Sequence, residues 1–259
     1  MLQVNEIFKN AVEQDSRTFK ARVVLGKDIF EGIKSFALHA ASNNSDHISI
    51  GGAVAASVQV KMEATSISLE SKEITLQIGV LSGTEYIYCD LGKFTPEKVN
   101  NDDGIINFCA YDRMYVKFSK AYVSKLEYPA DGKEVLKEIS NMSGVPLASS
   151  IDNLPSGVKI PKRWKETETT YDDEGNEITQ GNYVNPFDGY TMQDALGYVA
   201  QFYGKYCVIN RNGEIELRWY EQADYEISAS RYYDDLKKSE SLFKLGRIQC
   251  DTATVTLLS

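Results

Sequence analysis

A chain of 259 residues, 42% hydrophobic and 25% charged, is long enough for one large domain or two ordinary ones and can bury a core without disulfides or metals. Its formal net charge of −9, with 37 Asp plus Glu against 28 Lys plus Arg, opposes a groove that tracks a nucleic-acid backbone, which needs clustered cations to displace counterions. No apolar run approaches membrane-spanning length, and Glu6 sits where a secretory signal needs an unbroken apolar core, so the expectation is synthesis in a cytoplasm and no membrane anchor.

The one basic knot, Lys159, Lys162, Arg163 and Lys165, runs straight into glutamates and reads as a solvated loop; no sequence-specific nucleic acid is expected as a partner. Cys89, Cys109, Cys207 and Cys250 form no C-x-x-C pair and read as small buried hydrophobes in a reducing compartment. The sixteen tyrosines suit strands and surfaces that meet partners, because the ring buries well while the hydroxyl stays wet.

In chain order, Val4, Phe8 and Val12 fall on one face of a short helix within residues 1–15. Val23 and Leu25 lead through Gly26-Lys27 to Ile29–Phe36, a hairpin pattern. Residues 40–47 are a polar loop. The pair Gly51-Gly52 then marks a sharp bend or a close backbone approach; it lacks the Gly-Lys-Ser/Thr that a phosphate loop requires. Val58, Val60 and Met62, then Ile74, Leu76 and Ile78, then Ile106, Phe108 and Ala110 alternate with polar neighbours, the mark of strands with one face in a core. The stretch from Ile74 to Met114 is the most organised in the chain, a run of short strands with Gly or Asn/Asp in each turn, which suggests an antiparallel barrel or sandwich. Asn100–Gly104 is read as its acidic turn, without the spaced ligands of a calcium loop.

After Phe118 the period changes. Asp131 caps a helix, with Glu134 completing a capping box; Val135, Leu136, Ile139 and Met142 are its apolar stripe and Gly144 its stop. Thr191, Asp194, then Ala195, Leu196, Val199 and Phe202, then Gly204 repeat the plan, and thirteen residues separate cap from stop in both. The reading is a duplicated helix–turn–strand unit. Between the copies, Asp172–Asn176 is the turn of an exposed hairpin or loop. Asn212-Gly213 joins two more strand patterns, Tyr206–Ile209 and Glu214–Trp219. From Ala223 the chain returns to strand-like material, with Ile248, Cys250 and Val255 in short apolar stretches, and its last residues read as the start of an incomplete domain.

The residue patterns of catalysis are missing. His39 and His47 make no H-E-x-x-H, no Gly-x-Ser-x-Gly elbow occurs, and Asp112 beside Arg113 reads as a local ion pair or turn. The expectation is no catalytic, metal or cofactor residue and no enzyme activity within the chain.

In the order of its parts the chain resembles the baseplate-hub or tail-tip hub proteins of tailed bacteriophages and related tail-like particles, including the N-terminal module of tail-associated lysins. The residues that carry the resemblance are Ile33–Phe36, the Ile50–Ala55 bend, Leu91-Gly92-Lys93-Phe94-Thr95, the acidic turn, and Ala110–Met114. Tyr128-Pro129 with the Gly144-Val145 exit, Gly189-Tyr190-Thr191 and the Asn212–Ile215 hairpin complete them. The resemblance runs over most of residues 20–250 and implies an α+β, β-rich fold. An antiparallel β-barrel-like domain would occupy residues 1–118, an inserted mixed α/β domain with two short helices residues 119–222, and the start of a second β-barrel domain residues 223–259. It marks Gly51, Gly52, Gly92, Phe94, Tyr111, Asp112, Gly144, Gly204 and Gly213 as structural motif positions. It also implies a homotrimer in the virion tail tip, with the tail tube or distal tail protein, tape measure and spike or hydrolase components as partners. The acidic balance suits a channel that DNA must pass without being held. Two alternatives stand beside it: the front part of a tail-associated peptidoglycan hydrolase, and a host-glycan-binding tail module in which Tyr183, Phe187, Tyr190 and Trp219 stack on sugars.

Overall fold

The structure is a computed structural model that describes residues 4–14, 16–40, 50–171, 177–219, 248–250 and 253–255. They belong to two units, residues 1–219 and residues 220–259.

The first unit begins with helix α1 (Glu6–Val12), capped by Asn5, whose side chain accepts from the Phe8 amide at 2.7 Å. Seven antiparallel strands follow: β1 (Phe19–Leu25), β2 (Asp28–Phe30), β3 (Ile33–His39), β4 (Ser57–Glu63), β5 (Ile74–Ser82), β6 (Glu85–Asp102) and β7 (Ile105–Tyr111). Their order across the sheet is β2-β1-β5-β6-β7-β4-β3. The period of two does what it must: Val58, Val60 and Met62 of β4, Ile74 and Leu76 of β5, and Ile106, Phe108 and Ala110 of β7 are buried in one core with Val23, Leu69 and Phe94.

Strand β6 is the long member, and it serves both halves. Glu85–Phe94 pairs with β5, and Thr95–Asp102 pairs with β7. A register shift opposite Leu76/Gln77 leaves Leu91 as an extra residue just before the change of partner, and bulges of this kind bend a strand. Gly92 follows at φ +157°, where a Cβ would stand 2.8 Å from the Phe94 ring. Pro96 and a second shift lie where β6 pairs on one side only, a place that tolerates a missing N–H.

Two turns differ from their sequence reading. The acidic stretch is mostly strand: β6 runs through Asp102, and the reversal is the two-residue turn Asp103-Gly104, both at positive φ (46° and 79°), whose twist matches that of the strands. Ile29–Phe36 is not one strand either. The chain breaks at Glu31-Gly32, leaving β2 on β1 and taking β3 across to β4, and Gly32 passes so close to Glu63 that a Cβ would lie 2.9 Å from it.

A second core collects helix α2 (Arg113–Phe118), β8 (Ala130–Asp131), α3 (Gly132–Ser143), a 3-10 turn at Ser149–Asn153, β9 (Lys159–Ile160), α4 (Met192–Phe202), β12 (Tyr206–Ile209) and β13 (Ile215–Arg218), while the hairpin β10 (Arg163–Tyr171) and β11 (Glu177–Val184) contributes no residue to it. Helix α2 has no counterpart in the sequence reading, which carried strand character through Met114. Asp112 caps it, and Met114 and Phe118 turn into the second core, where Ala53 also lies. The two cores therefore do not divide at one point in the sequence.

The stripes of α3 and α4 are buried as their spacing requires: Val135, Leu136 and Ile139 on one, Ala195, Leu196 and Val199 on the other. Their last members, Met142 and Phe202, are instead exposed. Both helices are followed by a segment that pairs with β13, Leu147 by a parallel bridge to Ile215 and β12 by an antiparallel ladder. The caps differ. Thr191 and Asp194 form the reciprocal box, whereas Asp131 accepts from the Lys133 amide and the expected return bond from Glu134 is replaced by that simpler cap.

In the second unit β14 (Ile248–Cys250) and β15 (Ala253–Val255) form a short antiparallel hairpin. The rest of the expected second barrel domain, most of the polar loop at 40–47 and the Asp172–Asn176 turn lie outside the described residues. Large antiparallel sheet, few helices and alternating burial make this a β-rich α+β fold, as expected from the sequence.

Candidate functional site

Four of the nine motif positions meet where the two cores join. The segment 50–56 leaves the strand layer as a strap and lies along β12: Gly51 N donates to Lys205 O at 2.9 Å, Val54 N to Cys207 O at 3.1 Å, and Cys207 N back to Gly52 O at 2.8 Å. Such an approach requires glycine on both sides. A Cβ on Gly51 would lie 2.8 Å from Gln201 Cβ, and one on Gly197 of α4 would lie 3.0 Å from Gly52 Cα.

Where the strap returns to β4, Asp112 receives it. Its carboxylate accepts from the amides of Ala56 (2.8 Å), Met114 (3.0 Å) and Tyr115 (3.3 Å), and its own amide donates to Ala56 O at 3.0 Å. The residue is buried, and burial pushes its carboxyl up to about 6 against the pull of those three amides. The nearby Cys207 thiol is fully buried and raised well above the usual range by burial, with the charges of Asp112 and Glu216 adding to it. Burial of this kind disfavours the thiolate that a nucleophile requires.

Arg113 does not pair with its neighbour Asp112, as the sequence suggested. Its Nε and Nη2 grip both oxygens of Glu73, at 2.6 and 2.7 Å, and its Nη1 donates to Gly213 O at 2.7 Å. Glycine suits this turn because its φ is +81°, and a Cβ there would also fall 2.9 Å from the guanidinium carbon. From the same loop Arg211 Nη1 reaches the other way, to Cys89 Sγ (3.0 Å) and Asp90 O (3.2 Å) on β6. The two arginines tie the loop between β12 and β13 to the strand layer from opposite sides.

The remaining motif residues stand apart. Gly92 and Phe94 shape the bend of β6, Gly144 and Gly204 stop α3 and α4 at positive φ, and Tyr111 stacks on Tyr115 with centroids 4.3 Å apart. Of the cysteines, only Cys207 among the described side chains is the buried hydrophobe expected; Cys89 is half-buried and Cys109 exposed. The four aromatics proposed for sugar stacking are not brought together. Phe187 is fully buried, Tyr190 leans on it, Trp219 follows β13, and Tyr183 lies across the β10–β11 hairpin from Trp164. Trp164 was missed: regular pairing around residues 172–176 sets it opposite Val184, and only the register shift between Glu166 and Glu168 brings it opposite Tyr183.

Among the described residues no cluster of three or more His, Cys, Asp or Glu side chains is placed to hold a metal ion, and no helix is long and apolar enough to cross a membrane. No protein-family model and no curated protein sequence matches the chain. Among solved structures it is similar to the tail protein from Neisseria meningitidis MC58, with a TM-score of 0.45 and 10% identity over 77% of this chain and 50% of that one. The chain thus overlaps about half the length of that structure. A likeness of this size is a partial overlap of fold and assigns no activity.

Proposed function

We propose that the chain is a structural protein of a bacteriophage tail or tail-like particle, a hub-type adaptor at the tail tip that works by assembling, as a homotrimer, between the tail tube and the tip components. The observation that carries this reading is the use the fold makes of the resembling residues. Gly51, Gly52, Asp112 and Gly213 are all consumed in locking the strand layer to the helical module. An adaptor that transmits geometry from one ring of subunits to the next needs such a fixed joint, whereas an enzyme needs polar groups left over for substrate.

A second feature fits. Strands β2 and β3, at the two ends of the sheet order, each have a strand neighbour on one side only among the described residues. Open edges invite pairing with another chain unless charge or a cover protects them. Light scattering across a concentration series tests the assembly: a mass of three chains supports the reading, and a monomer at every concentration overturns the trimer. A peptidoglycan zymogram tests the rest, since a cleared band would overturn a purely structural role.

A further inference from the structure

Between the diglycine strap and α4 lies a cleft of about 630 Å³ that the assembly reading leaves unused. Its floor is backbone, because Gly51, Gly52 and Gly197 bring strap and helix within touching distance. Tyr190 and Tyr198 line it with their rings edge to face, centroids 6.0 Å apart at 88°. Gln193, Asp194 and Gln201 supply the side-chain polar groups.

Those groups are only partly engaged among the described residues. Gln193 donates through Nε2 to Ala53 O at 2.8 Å, which leaves Oε1. Asp194 uses Oδ2 for the amide and hydroxyl of Thr191, which leaves Oδ1. The exposed Gln201 side-chain amide makes no hydrogen bond among the described residues, which leaves both its donor and its acceptor there. Asp194 is the one charged residue among the described lining residues, so nothing there attracts a phosphate or carboxylate. Amides, a carboxylate acceptor and tyrosine faces, set over a glycine floor that admits a ring, are the complement of an uncharged polyhydroxyl ligand. Its hydroxyls pair with the amides, and its C–H face meets the negative face of a tyrosine.

A separate aromatic pair lies on the β10–β11 hairpin, on the strand face opposite Arg163. Arg163 stands over the Tyr190 ring at 5.7 Å and opens β10. The next residue, exposed Trp164, meets Tyr183 at 5.1 Å and 70°. Gly181 lets the indole lie flat on the neighbouring strand, since a Cβ there would be 2.6 Å from it.

We propose that this cleft binds an uncharged oligosaccharide of hexose or N-acetylhexosamine units, one ring held by Gln193, Gln201 and the two tyrosines. The inference does not rest on the tail reading. Its test is NMR titration of the whole chain with chitotriose, cellotriose and maltotriose, and with the matching monosaccharides. At least one trisaccharide is expected to bind saturably with weak affinity and to shift amides of residues 50–53 and 189–201. Gln201→Ala should weaken it about tenfold, the loss expected for one hydrogen-bonding side chain, and Gln201→Trp should block it. Because Gln201 is exposed, both variants keep the wild-type unfolding midpoint. Absence of binding by all three trisaccharides, or binding that both variants leave unchanged, overturns the site.

Discussion

Arg113 holds Glu73 by both carboxylate oxygens while its remaining nitrogen reaches Gly213, so one side chain spans the strand layer, α2 and the β12–β13 loop. Bidentate pairs of this kind are stronger than a point-charge contact because the fork fixes direction as well as distance. Arg113→Ala is expected to lower stability by about 1 kcal/mol, since the pair with the exposed Glu73 carboxylate is screened by solvent and only the bond to Gly213 is partly buried. Arg113→Lys should recover only part, because an ammonium cannot serve Glu73 and Gly213 together. The Arg113 guanidinium holds the Glu73 carboxyl below its usual range. The pair's contribution is therefore present above the ordinary Glu pKa and fades as pH falls through the lowered one. Urea midpoints should show the gap between wild type and Glu73→Gln closing in acid; a gap independent of pH would refute the ion pair as its source.

Asp112 should show the opposite pH dependence. Its folded carboxyl titrates at about 6, above the unfolded value of 3.8, so the folded state holds the proton more tightly than the unfolded chain. Stability from this group is complete below the unfolded pKa and is lost as pH rises through about 6. Asp112→Asn removes that slope. At neutral pH it should also cost about 1–3 kcal/mol, because a side-chain NH2 cannot accept from one of the three amides now served. Urea unfolding of both proteins from pH 3 to pH 7 (~4 units of pH spanning both titrations) checks it: the wild-type advantage should grow toward acid, and parallel profiles would contradict the burial of this carboxyl.

These two residues also show what could be read in the sequence. Alternation at Val58–Met62, Ile74–Ile78 and Ile106–Ala110 specified the strands and their inward faces, because a period of two has one structural meaning when a core must be covered. The paired caps and glycine stops around α3 and α4 were equally local. What was not legible was long-range. Nothing in the neighbourhood of Arg113 announces Glu73, forty residues earlier, or Gly213, a hundred later. The cap role of Asp112 was masked by the strand pattern of Ile106–Ala110 running straight into it. The cleft escaped notice for the same reason: its floor is built from Gly51, Gly52 and Gly197, which only the packed strap brings together.

That packing predicts the outcome at Gly197. A Cβ there meets backbone of Gly52 and Ala53 at 3.0–3.2 Å, and backbone has no rotamer to escape into. Gly197→Ala should displace the strap from α4 at a cost of about 1–3 kcal/mol, the usual range for overpacking. The strap covers Cys207, so the variant should also uncover a thiol that is fully buried in the native protein. Mass-spectrometric mapping after brief alkylation reads this directly. Cys109, already exposed, serves as the internal reference. Unchanged protection of Cys207 would show that the strap can yield elsewhere.

Glu138 on α3 organises the segment that leads from α2 to β8 within the second core. One oxygen accepts from the Tyr122 hydroxyl and, at 2.7 Å, from the Ser124 hydroxyl; the other accepts from the Lys125 amide at 2.8 Å. Ser124 Oγ in turn accepts from the Tyr128 hydroxyl at 2.8 Å. Burial and the Glu138 bond both raise the Tyr122 hydroxyl's pKa, so it remains a proton donor at every pH the fold survives. Glu138→Ala should cost about 1–3 kcal/mol by leaving a buried hydroxyl and an amide without an acceptor. Tyr122→Phe should cost less, because it removes a donor and leaves the carboxylate its other partners. In a double-mutant cycle the two should be clearly non-additive, since they share one bond. Additive losses in urea unfolding would mean that α3 and the 120–128 segment are held together by the packing of Tyr122 and Tyr128 on Phe187 instead.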